Sequence, residues 1–123
     1  MKLIIAGSQT FTDYQMLCQV LASDRHRITQ VLTGGARGAE LLGYRWAWKH
    51  AVRHQCFRAD WERFGKAAGV RRNYQLAQAG DVLAVFGHTT SPGTAHLIQC
   101  MRALGKPVVV IGGDAHAAAE AAS

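Results

Sequence analysis

The chain has 123 residues, 49% of them hydrophobic, and a formal net charge of +6. That length holds one domain with a real core, and no apolar run reaches the roughly 18 residues that a membrane helix needs. A basic balance suits anionic guests such as nucleotides, phosphorylated ligands or nucleic acid, but the charges are spread except around Arg58 to Arg72, which counts against nucleic acid.

Lys2 to Ala6 reads as a first strand, nearly all apolar, as a parallel strand covered on both faces should be. The run is too short for a signal peptide and stops at Gly7-Ser8. Thr12-Asp13-Tyr14-Gln15 fits a capping box, and Met16, Leu17, Val20 and Leu21 follow at helical spacing. Ile28 to Leu32 is the second strand. The turn Gly34-Gly35-Ala36-Arg37-Gly38 follows it and opens a helix from about Ala39 to Ala51. A strand, a glycine turn and a helix place unpartnered N–H groups at the positive end of a helix dipole, which attracts anions. Arg37 adds a guanidinium there; the plainer reading is a turn and nothing more.

A short third strand spans about Gln55 to Phe57. The segment from Arg58 to Asn73 has no clean period and mixes aromatics with arginines; long irregular segments in compact domains tend to be functional. Trp61 in it either stacks on a base or anchors the loop to the core. Arg72 to Ala79 starts another helix, and Asp81 to Phe86 is the fourth strand. A small-residue loop, Gly87 to Thr94, opens a helix from Ala95 to Leu104, which Gly105-Lys106-Pro107 stops. Val108 to Ile111 is the fifth strand. The expected domain covers 1–111, and an alanine-rich tail, expected to fray, covers 112–123.

Strands alternating with helices imply an α/β fold: a Rossmann-like three-layer sandwich, with a mostly parallel five-stranded sheet and helices on both faces. Ligands of such sheets bind beyond the C-terminal strand ends. The loops carrying Ser8, Gly34 to Gly38, Trp61 to Asn73 and Ser91 to Thr94 all follow strands, so they are expected to meet at one edge. Donors outnumber acids there, which points to a phosphate-bearing guest. Asp13, Glu40 and Asp60 are the candidate acids, each with a plain role at a helix start or turn. His50 and His54 lack a third ligand, so no metal is expected. Cys18, Cys56 and Cys100 have no metal or redox spacing, which fits a reduced, cytoplasmic setting.

Gly7-Ser8-x-x-Phe11-x-Asp13-Tyr14, Gly34-Gly35-Ala36-Arg37-Gly38-Ala39, Ala59-Asp60-Trp61-x-x-x-Gly65-Lys66-x-Ala68-Gly69, Arg72-Asn73 and Ser91-x-Gly93-Thr94 occur in this order. Together they resemble the YspA-like branch of the SLOG superfamily, over about Lys2 to Ile111. That superfamily includes the LOG phosphoribohydrolases, the DNA-processing protein that loads recombinase on single strands, and sensor domains for NAD- and ADP-ribose-derived signals. The resemblance implies a Rossmann-like fold and a nucleotide-type ligand. Gln9 stands where the family usually has arginine, and Glu40 where it has aspartate. Leu97 replaces the glutamate that serves N-glycoside hydrolysis in LOG enzymes, and Thr89-Thr90 replaces a glycine pair.

The expected ligand-contacting set is Gly7, Ser8, Gly34, Gly35, Arg37, Gly38, Trp61, Arg72, Asn73, Ser91, Gly93 and Thr94. No catalytic residue, metal or cofactor is expected. The leading function is binding of a phosphate-bearing, nucleotide-derived ligand as a sensor or a sequestering sponge. N-glycoside cleavage and single-stranded DNA binding are the alternatives. A homo-oligomer is expected, because Tyr44, Trp46, Trp48 and Tyr74 exceed what a five-stranded sheet must cover.

Overall fold

A computed structural model describes residues 1–112. Beyond Gly112, the expected tail lies outside those residues. The order is β1 (Lys2–Gly7), α1 (Tyr14–Ala22), β2 (Gln30–Thr33), α2 (Ala39–Lys49), β3 (Arg53–Cys56), α3 (Trp61–Phe64), a 3-10 turn (Gly65–Ala67), α4 (Ala68–Ala79), β4 (Val82–Phe86), α5 (Pro92–Ala103) and β5 (Val108–Ile111).

All described strand pairs are parallel, in the order β3-β2-β1-β4-β5. β1 is central: Leu3 lies level with Val31 on one side and Val82 on the other. Its side chains alternate between two cores. Leu3 and Ile5 join α1 and α2 through Leu17, Leu21 and Trp46. Ile4 and Ala6 join α4 and α5 through Leu76, Leu97, Ile98 and Met101. Full burial of each such side chain contributes about 1.5–3 kcal/mol. Helices therefore cover both faces, and the Rossmann-like α/β architecture read from the sequence is the one observed.

Local differences have local causes. Asp13, not Thr12, caps α1, accepting the Met16 amide at 3.0 Å. β2 begins at Gln30 because the Ile28 amide is spent on Asp24 O in the preceding turn. β3 ends at Cys56, and α2 ends at Lys49, short of Ala51, whose φ is 54°. The segment without a period holds α3, the 3-10 turn and the first turn of α4, which starts at Ala68 instead of Arg72; one short helix feeding another leaves no single repeat. α5 starts at Pro92, since proline tolerates the first helical position. Trp46 is 1% exposed and belongs to the core, so it is not a surplus aromatic.

Candidate functional site

A cavity of about 520 Å³ opens beyond the C-terminal ends of β1 and β4. This is the topological switch point, where the chain leaves β1 outward in one direction and later in the other. Four segments line it: Gly7 to Thr10 after β1, Ala36 and Glu40 at the start of α2, Arg72 and Asn73 on α4, and His88 with Ser91 to Thr94 around the start of α5.

The start of α5 is the site's most open donor. Ser91 caps it, with its Oγ accepting the Thr94 amide at 3.4 Å and donating to Thr94 Oγ1 at 2.9 Å. Pro92 brings no N–H, and the Gly93 amide has no acceptor among the described residues. An amide in that position, at the positive end of a twelve-residue helix, suits an oxyanion.

Arg72 reaches the cavity from α4. Its Nε donates to Asn73 Oδ1 at 3.1 Å and its Nη1 to the Gly34 carbonyl at 3.1 Å. Nη2 has no hydrogen bond among the described residues, which leaves one edge of the guanidinium for a guest. Asn73 is 4% exposed; its amide donates to Gly93 O at 3.1 Å and to His96 Nδ1 at 3.0 Å. Asn73 therefore positions Arg72 and ties α4 to α5, and its own polar atoms are already used.

The glycine turn after β2 differs from the open anion cradle read from the sequence. The Glu40 side chain folds back and accepts the Gly34 amide. The Ala39 amide donates to Ser8 O at 3.1 Å. Gly38, at φ 72°, lets the two loops meet: a Cβ there would lie 2.3 Å from Ser8 O. Gly34 is pinned between Arg72 and Glu40, with 2.3 Å from a would-be Cβ to Arg72 Nη1. The chain thus fills this turn itself, and Gly34, Gly35 and Gly38 support the wall without lining the cavity.

Burial raises the Glu40 pKa above its ordinary value, while the Gly34 amide, Arg72 and the Ala36 amide pull it back. Glu40 is the one carboxylate among the described residues that line the cavity. Ser8, 1% exposed, anchors the opposite wall. Its Oγ lies 2.7 Å from Thr10 Oγ1 and 3.0 Å from His88 Nε2, and it accepts the Thr10 amide at 3.1 Å. His88 Nδ1 lies 3.2 Å from Thr90 Oγ1, so the β1 and β4 loops are tied through one imidazole.

Of the expected contacts, Gly7, Ser8, Arg72, Asn73, Ser91, Gly93 and Thr94 line the cavity. Arg37 is exposed and does not, so it does not converge with Arg72. Trp61 is 61% exposed and outside the cavity, its ring lying against Gly69 of α4. Sequence reading missed His88, Thr10 and Leu76, and left Glu40 only a helix-start role. Leu97 also lines the cavity, 3% exposed, on the wall formed by α5. Asp13 and Asp60 are helix caps, as expected. Among the described residues no group of three or more His, Cys, Asp or Glu could hold a metal, and no helix is long and apolar enough to cross a membrane.

Comparison with known proteins adds three findings. The gene 61 protein of Mycobacterium phage D29 is 38% identical over 122 residues, covering 90% of this chain and 96% of that protein. The X-ray structure of TM1055, a structural genomics target, superposes with a TM-score of 0.62 at 20% identity, over 87% of this chain and 71% of that one, which shows a shared fold. The model of the YspA, cpYpsA-related SLOG family matches residues 1–64, and with it the Gly7-Ser8 loop and the glycine turn. The chain belongs to the YspA, cpYpsA-related SLOG family.

Proposed function

We propose that this chain binds a nucleotide-derived ligand carrying phosphate, of the ADP-ribose, NAD-derived or cyclic-nucleotide kind, and acts as a sensor or a sequestering sponge. One observation carries the reading: the switch-point cavity joins the open Gly93 amide of α5 to the Arg72 guanidinium, two donors suited to one phosphate. The size of the cavity, about 520 Å³, suits a small-molecule guest. Native mass spectrometry of freshly purified protein, followed by calorimetric titration with ADP-ribose and AMP, tests it. A retained or titrated nucleotide is expected; no binding by any of these anions overturns it.

A second reading, cleavage of an N-glycosidic bond, has one observation in its favour. A carboxyl with a raised pKa, Glu40, faces the cavity, and such groups serve as proton donors. Against it, Leu97 puts an apolar side chain on the α5 wall.

A further inference from the structure

We propose that Glu40 makes the cavity selective for ribonucleotides, its carboxylate accepting the ribose hydroxyls of the bound ligand. The inference rests on the nucleotide reading above and goes on to specify the sugar.

The cavity differs chemically from one end to the other. The open Gly93 amide stands where α5 begins, the one carboxylate of the lining stands at the start of α2, and Arg72 reaches in beside Glu40, with Gly34 between them. A phosphate beside Glu40 would bring two anions together, so the phosphate belongs at the α5 end. The group facing Glu40 must then donate.

Glu40 has acceptor capacity to spare. A carboxylate offers about four lone-pair sites. The Gly34 amide claims one, and that bond fixes the side chain against the wall. No donor side chain lies within hydrogen-bond distance of it among the described residues. Held by its own loop, the carboxylate loses little freedom when a guest arrives, which favours affinity. Vicinal hydroxyls match two adjacent oxygens, and they lie on the same sugar that carries the phosphate. The carboxylate also selects against a phosphate on those hydroxyls.

Titration of wild type and Glu40→Gln with AMP, 2′-deoxy-AMP and IMP tests the proposal. Glutamine keeps an oxygen for the Gly34 amide and removes the charge. Wild type is expected to bind AMP about 10- to 150-fold more tightly than 2′-deoxy-AMP, the range of a hydrogen bond to a charged group. In Glu40→Gln that ratio is expected to fall towards one. A purely structural role would weaken both ligands alike and leave the ratio in place, which overturns the proposal. Equal affinity of wild type for AMP and 2′-deoxy-AMP overturns it without any variant. Discrimination between AMP and IMP that vanishes in the variant assigns Glu40 to the base and also overturns it. Binding of ADP-ribose but none of the three monophosphates overturns the ribose assignment and leaves the nucleotide reading standing; binding of no nucleotide overturns both.

Discussion

The Glu40 carboxylate accepts the amide of Gly34, six residues upstream, and so occupies the turn that would otherwise present that N–H to a phosphate. With that amide taken, the Gly93 amide at the start of α5 is left as the open helix-start donor of the cavity. Burial of the same carboxylate sets up a pH dependence.

Burial raises the Glu40 pKa, so the folded state holds this proton more tightly than the unfolded chain. The group's stabilising contribution is then fully present below the ordinary carboxyl pKa of about 4.3 and is lost as pH rises through the higher folded value. Glu40→Gln has no such proton. On acidification from about pH 7 to 4, the melting temperature of wild type is expected to gain on that of Glu40→Gln. Scanning calorimetry across the range measures the difference. A gap that stays flat would show that the folded protein does not perturb this carboxyl.

Arg72 and Arg37 are expected to behave differently. Arg72 ties Asn73 and the Gly34 carbonyl together and also offers Nη2 to the cavity. Arg72→Ala should therefore lower the melting temperature of the ligand-free protein and weaken a bound phosphate roughly 10- to 150-fold. Arg37 is exposed and outside the cavity. Arg37→Ala should leave both measurements within error. Equal loss of affinity in the two variants would place the anion beside the glycine turn after all.

What could be read from the sequence follows from periodicity. β1 and β4 are continuous apolar runs, and α2 and α5 repeat at helical spacing, so the alternation and the parallel sheet were legible. The cavity lining was legible where a loop is short and directly follows a strand, as with Ser8, Ser91, Gly93 and Thr94. It was not legible where a side chain turns back on its own loop. Glu40 looks like any acid in a first helical turn, and only three dimensions show it on the Gly34 amide. Residue type also suggested a ligand contact for Arg37 and left Trp61 open, but both are exposed and lie outside the cavity lining.

Simple nucleoside monophosphates are expected to remain intact on the protein. Leu97 cannot exchange a proton, and Glu40 is engaged with the Gly34 amide. Incubation with AMP followed by chromatography should show no free adenine above the protein-free control. Adenine release that disappears in Glu40→Gln would instead promote the cleavage reading and name its acid.

Self-association is expected through the outer face of α2. Leu41, Tyr44 and Trp48 stand three and four residues apart, so they form one stripe along the helix. They are 56%, 46% and 78% exposed, while Ala39, Gly43, Trp46 and Ala47 carry the buried face. The helix thus carries apolar residues on both sides; on the outer side Tyr44 meets His54 of β3, while Leu41 and Trp48 stay more than half exposed among the described residues. Aromatic residues are enriched where proteins meet, and a tryptophan exposed to this degree is a strong anchor for a second copy. Two copies related by a two-fold axis would bring the same stripe to itself. Light scattering of the 13.4 kDa chain at micromolar concentration should report a dimer or a larger even assembly. Trp48→Glu should shift it to monomer, since it puts a charge in place of the most exposed aromatic of each stripe. The monomer's fold should survive, because Trp48 supports no core. A monomeric mass for wild type would remove the proposal, and an unchanged assembly in Trp48→Glu would move the interface elsewhere, with Tyr74 on α4 the next exposed aromatic to test.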